Sequence, residues 1–135
     1  MFNRITAVVL FVQDFETCLA FYRDRLGLEV VVEEPKFAAF KMFEQDFAIN
    51  EIAHAAEMVN LPVEAFEPQT GKTDRVMLCT RVDDVDAVYE TFVSRGVEFT
   101  LPPTDQYWGL RTAFFCDTEG NIWEIAQPLE SRENG

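Results

Sequence analysis

Glu124 lies inside the run Ile122-Trp123-Glu124-Ile125-Ala126, an acid among apolar neighbours. Burying a carboxylate is costly unless it is paired, coordinated or protonated. Two kinds of use fit it. It can anchor a ligand cation, hold a metal or act as a general base with a raised pKa. It can also be structural, paired with Arg81 or Arg111. Trp108 and Tyr107 follow Pro102-Pro103 and precede Gly109. Large aromatics on such a loop stack on ligands, cap an interface or pack under the loop itself. Arg111 can neutralise nearby acids or hold a ligand carboxylate.

The chemistry that is missing narrows the choice. His54 is the only histidine, and its place just past a strand end in a polar-leaning segment marks it as a surface residue. One chain cannot build a three-His zinc site, a two-His-one-carboxylate iron site or an HExxH helix. Two copies of His54 meeting across a symmetric dimer are the exception. Cys18, Cys79 and Cys116 are odd in number, widely spaced and set among apolar residues. They read as buried free thiols of a reducing compartment, not as a disulfide frame or zinc ribbon.

The 135 residues suit one domain or two small modules sharing a core, and the 48% hydrophobic content rules out disorder. Eleven Lys and Arg against twenty-four Asp and Glu give a net charge of −13. Such a chain repels phosphate backbones and anionic membranes, so no nucleic-acid or membrane partner is expected. It attracts cationic ligands, although acidity also serves solubility alone. No apolar run approaches the roughly 20 residues that span a bilayer. Met1-Phe2-Asn3-Arg4 lacks the shape of a signal peptide, and a cytoplasmic protein is expected.

Periodicity supplies the elements that must position these residues. Ile5 to Val12 reads as a buried strand, and Asp14 as the N-cap of a helix with Phe15, Cys18, Leu19, Tyr22 and Leu26 on its apolar stripe. Gly27 ends that helix. Three strands follow, Leu28–Glu33, Phe37–Phe43 and Phe47–Ile52. Residues 53–73, with Pro62, Pro68 and Gly71, read as a linker with a helical turn near Ala53–Val59. The pattern then returns: strand Val76–Val82, a cap at Asp83 or Asp84, a helix ended by Gly96, and strands Val97–Leu101, Leu110–Cys116 and Asn121–Gln127.

This is an internal repeat, with Val12-Gln13-Asp14-Phe15 matching Val82-Asp83-Asp84-Val85. Module 1 covers about residues 4–52 and module 2 about 74–128. The expected fold is α+β, two paired βαβββ modules whose curled mixed sheet encloses a cup with the helices outside. Such a cup is where a small ligand binds. Phe37, Phe40, Phe43 and Phe47 exceed what one core face needs and suit a pocket, a dimer interface or a local habit of core composition.

The Val12-to-Leu28 run (Val-x-Asp-Phe…Phe-Tyr-x-x-x-Leu-Gly-Leu) and the closing run resemble the glyoxalase/bleomycin-resistance/extradiol-dioxygenase superfamily, or vicinal oxygen chelate proteins. The closing run is Trp108-Gly109-x-Arg111…Phe115-x-Asp117-x-x-Gly120-Asn121-x-x-Glu124. The resemblance extends from about Ile5 to Pro128. It implies four possible metal-ligand positions, which fall here on Ala7, on Glu51 (Asn50 if the register slips by one), on Met77 and on Glu124. A methyl and a thioether are poor ligands for a hard or borderline divalent ion. The resemblance therefore points to the bleomycin-resistance-like branch, whose members are small, acidic, dimeric, metal-free and bind a cationic glycopeptide.

By strand alternation, Ala7 brings Val9 and Phe11 to the cup, Met77 brings Cys79 and Arg81, and Glu124 brings Ile122 and Ala126. The expected function is a homodimeric small-molecule-binding protein without cofactor or metal, holding a cationic or amphipathic aromatic ligand in an apolar cup. Its ligand-binding residues are Phe11, Glu51, Met77, Arg81, Trp108, Arg111 and Glu124; Phe11, Met77 and Cys79 also read as plain core. The alternative is a lyase, isomerase or dioxygenase-like enzyme using Glu124 and Glu51 with a weakly held divalent metal.

Overall fold

A computed structural model describes Asn3, residues 5–66 and residues 76–129. The chain divides into two compact units, Met1–Thr70 and Gly71–Gly135. The expected module start at residue 4, and linker residues 67–73 with Pro68 and Gly71, lie outside the described residues. No helix among the described residues is long and apolar enough to cross a membrane.

Unit 1 runs β1 (Ala7–Val12), α1 (Phe15–Ala20), β2 (Val30–Glu34), β3 (Phe37–Phe40), β4 (Asp46–Glu51) and α2 (Ile52–Val59). Its sheet order is β1-β4-β3-β2, with β1 parallel to β4 and the other pairs antiparallel. Asp14 caps α1 by accepting from the Thr17 amide (3.1 Å) and hydroxyl (2.8 Å), bonds that hold its carboxyl below the ordinary aspartate value. After Ala20 the helix widens into a π-type turn over Phe21–Arg25, closed by the Leu26 amide on the Phe21 carbonyl at 3.0 Å. Gly27, at φ 78°, then reverses the chain where a side chain would be strained.

The stripe predicted for α1 packs onto one face of the sheet. Tyr22 is fully buried, with ring centroids 5.5 Å from Phe40 and 5.4 Å from Phe47. Two of the four clustered phenylalanines are thus core. Phe43 is exposed in the β3–β4 turn, and β3 stops at Phe40, short of the expected Phe43. The segment expected to be a linker holds the eight-residue helix α2, longer than the single turn anticipated, followed by a 3-10 turn over Val63–Ala65. Ala55 and Ala56 are its buried positions, which shows why a sequence with few large apolar residues still folds there.

Unit 2 repeats the scheme with β5 (Met77–Arg81), α3 (Val85–Ser94), β6 (Phe99–Asp105), β7 (Leu110–Cys116) and β8 (Ile122–Pro128) in the order β5-β8-β7-β6. Of the two candidate caps, Asp84 serves, accepting from the Ala87 amide at 3.1 Å. Phe115 is the centre of the core, 5.8 Å from Phe92 on α3, 5.2 Å from Phe99 and stacked on Trp123. Pro102 and Pro103, expected in a loop, lie within β6. A proline gives no N–H to a ladder, so the strand tolerates them only because it is an edge and its register slips between Leu101 and Thr104.

Candidate functional site

Each sheet has a helix face and a far face, and the ladders assign residues to them. In unit 1 the Tyr22 contacts put Phe40 and Phe47 on the helix face. Alternation then turns Val9, Phe11, Ala39, Ala48 and Asn50 to the far face, where Phe11 and Phe37 lie opposite Asn50 on either side. Phe11 is 38% exposed, and its ring is 5.5 Å from Phe66. Asn50 is wholly buried, and its Oδ1 lies 2.6 Å from Nδ1 of His54, which is exposed on the first turn of α2.

Glu51 points the other way. It is opposite Val12, on the helix face, and its carboxylate takes the Lys36 ammonium at 2.8 Å. The one-residue alternative considered for the fourth strand therefore decides the site: Asn50, not Glu51, shares a face with Phe11. The end of β4 at Glu51 sets this register, and α2 starts at the next residue.

In unit 2, Phe115 and Trp123 mark the helix face, so Met77, Cys79, Arg81, Phe114, Cys116, Ile122, Glu124 and Ala126 lie on the far face. Met77, Cys79 and Arg81 are exposed there, whereas Glu124 is 8% exposed. Cys79 and Glu124 are opposite one another in the β5–β8 ladder, which sets the thiol beside the carboxylate. Burial first, and then the Glu124 charge and hydrogen bond, push the Cys79 thiol above its ordinary value, against a smaller opposing effect of Arg81. Among the described residues no Lys or Arg forms an ion pair with Glu124. The expectation of three buried thiols holds only for Cys18: Cys79 is exposed and Cys116 half-buried, because both stand on the far face.

Arg111 does not join Glu124. It is on the helix face, opposite Gln127, and its guanidinium grips both Asp86 oxygens on α3 (2.9 and 3.0 Å) and Asp105 on β6 (2.8 Å). The two carboxylates raise its pKa, and it in turn holds the Asp86 carboxyl below the ordinary value. This is a structural clamp of α3 on its sheet. Trp108 and Tyr107 form the tip of the β6–β7 hairpin, with Gly109 at φ 92° and the two rings 4.9 Å apart. Tyr107 is almost fully exposed and Trp108 half exposed, so Trp108 does not pack under its loop.

The positions where metal ligands were implied do not fit a divalent ion. Ala7 and Met77 offer no oxygen or nitrogen, Glu51 is bound to Lys36 on the other face, and Glu124 is left as the one carboxylate. Among the described residues no three His, Cys, Asp or Glu side chains come together as a metal site. Sequence reasoning missed the Asn50–His54 and Cys79–Glu124 couples. Cross-strand pairing, which no single segment displays, would have revealed the second. The i, i+4 spacing of Asn50 and His54 was visible, but it spans a strand end and a helix start.

Two mixed four-stranded sheets, each built β-α-β-β-β, define a fold class, and the chain falls within a known family of that class. Residues 4–125 match the family model of the Glyoxalase/Bleomycin resistance protein/Dioxygenase superfamily, and the protein belongs to that superfamily. It is 29% identical to the uncharacterized protein YraH of Bacillus subtilis strain 168 over 129 residues, 93% of this chain and 99% of the relative. It is similar to a crystal structure of a glyoxalase/bleomycin resistance protein/dioxygenase from Nocardioides (TM-score 0.82, 29% identity, 100% of this chain and 89% of that one). A lactoylglutathione lyase from Agrobacterium tumefaciens shares the fold at 22% identity, with a TM-score of 0.71 and 93% of each chain covered.

Proposed function

We propose that the protein is a small-molecule-binding member of its superfamily, homodimeric, cytoplasmic and working without a metal. It takes a cationic or amphipathic aromatic ligand whose positive group meets Glu124. The observation that carries this reading is Glu124, a residue only 8% exposed on a far face with exposed apolar groups, with no Lys or Arg ion pair among the described residues. A carboxylate set among apolar groups and without a cation of its own gains from a ligand ammonium through a charge-assisted hydrogen bond. The net charge of −13 adds long-range attraction for such a ligand.

The test is calorimetric titration of a panel of cationic aromatic drugs into the untagged protein. We expect saturable binding that weakens as salt rises, and a loss of about 10- to 100-fold in Glu124→Gln, the range of a charged hydrogen bond. No binding across the panel overturns the reading. Elemental analysis and thermal-shift titration with zinc, nickel, manganese and iron(II) run beside it. A stoichiometric metal, or clear stabilisation by one, overturns the metal-free part and favours a metal-using lyase, isomerase or dioxygenase-like enzyme.

A further inference from the structure

Among the described residues, Asn50 alone has a buried side-chain atom without a hydrogen-bond partner. It is 0% exposed; its Oδ1 is 2.6 Å from Nδ1 of His54, and its Nδ2 has no partner. Leaving a buried donor unpaired is destabilising, so stability alone would favour an apolar residue at this place. Turning the amide over exchanges one orphan for another: Nδ2 would donate to Nδ1, Oδ1 would be left alone, and the ring proton would move to Nε2. What the residue does achieve is the orientation of one exposed imidazole. With Oδ1 turned to the ring it can only accept, and in that orientation the proton of neutral His54 belongs on Nδ1 and Nε2 carries a bare lone pair.

The neighbours of Asn50 on the far face are aromatic. Phe11 is opposite Asn50 in the ladder, partly exposed and faced by Phe66. A lone pair attracts a donor and repels carbonyl and carboxylate oxygens. We propose that Asn50 and His54 form the polar end of a ligand site on the far face of unit 1. Phe11 and Phe66 supply its apolar wall, and Nε2 accepts a hydrogen bond from a weakly acidic hydroxyl, a phenol or enol, carried on a flat ring. His54 is the binding residue and Asn50 a positioning residue. The proposal rests on the reading of the chain as a small-molecule-binding protein and concerns unit 1 alone.

As His54 is the only histidine, one imidazole spin system reports on it without assignment. Long-range proton–nitrogen NMR of the untagged protein should show neutral His54 with Nδ1 protonated and Nε2 bare, the reverse of the tautomer free histidine prefers. Asn50→Ala should restore the common tautomer, and Asn50→Asp, which keeps an accepting oxygen, should not. 4-Cyanophenol and benzonitrile, alike except for the hydroxyl, are then titrated at neutral pH. We expect 4-cyanophenol to bind about tenfold more weakly to His54→Ala than to wild type, and benzonitrile equally to both. A wild-type Nε2–H tautomer, or a 4-cyanophenol affinity unchanged in His54→Ala, overturns the proposal. If cationic drugs bind and 4-cyanophenol does not, this proposal falls and the broader reading stands. If no compound of either set binds, both fall.

Discussion

Unit 1 and unit 2 are built from the same sequence of elements, yet the polar group inside each far face differs in kind and place. Aligning Val12 with Val82 makes Phe11 the counterpart of Arg81. The ladders then make Ala126 the counterpart of Asn50, and Ala48 that of Glu124. Unit 1 therefore keeps a neutral amide, tied to an imidazole, one residue before the end of β4. Unit 2 keeps a carboxylate, beside a thiol, two residues earlier in the register. On the helix faces a cation is kept at the same place while its partners change. Lys36 and Arg111 are counterparts, as are Glu51 and Gln127. Lys36 pairs with Glu51, whereas Arg111 reaches two aspartates and Gln127 instead accepts the Val85 amide at the start of α3. Duplicated modules thus preserve cores, caps and one helix-face cation, and diverge in the polar partners on both faces.

The cores offer the largest effect with which to challenge this comparison. Tyr22→Ala and Phe115→Ala each remove a buried ring surrounded by other rings, and each should destabilise the protein by about 3–5 kcal/mol in urea unfolding. Similar losses support equivalent cores; a large loss at one position and a slight one at the other breaks the equivalence.

The helix faces come next. Arg111→Met removes a bidentate clamp and should cost about 1 kcal/mol, the upper range for ion pairs with exposed partners. Lys36→Met, which breaks a single exposed contact, should cost less. The pH dependence has a definite sign. Asp86 has a folded pKa below its ordinary 3.8, so its contribution is complete at neutral pH and is lost as pH falls through 3.8 and below. The difference in melting temperature between wild type and Arg111→Met should therefore shrink in acid. A difference that grows in acid would contradict the clamp.

The smallest effect concerns the far face of unit 2. The Glu124 charge and hydrogen bond help to raise the Cys79 pKa, so the thiolate is scarce at neutral pH. Glu124→Gln removes the charge, lowers that pKa and should speed iodoacetamide alkylation of Cys79 a few-fold, followed on its peptide by mass spectrometry. An unchanged rate would mean that burial alone governs the thiol.

Much of the fold was legible because its signals are local. The Asp14 and Asp84 caps, the closing Gly27 and Gly96, and the repeat offset each need only a dozen residues to be seen. The site residues depend on pairing between distant strands, which is why Glu51 and Arg111 fall on helix faces although both are charged groups near strand ends. One residue of register exchanges Glu51 for Asn50. The Pro102-Pro103 pair misled for a related reason: a proline excludes a central strand, but only topology reveals an edge.

That edge has a colloidal consequence. With two successive residues lacking an N–H, β6 offers a broken row of donors to any incoming strand, and its irregular register bends the row further. The corresponding edge of unit 1, β2, has no proline but ends in Glu33 and Glu34, so that an approaching copy meets like charge instead. These two edges are thus guarded against strand addition by different means, one by missing donors and the other by electrostatic repulsion. Concentrated salt screens only the second of these, so salt-induced strand addition would begin at β2 rather than at β6.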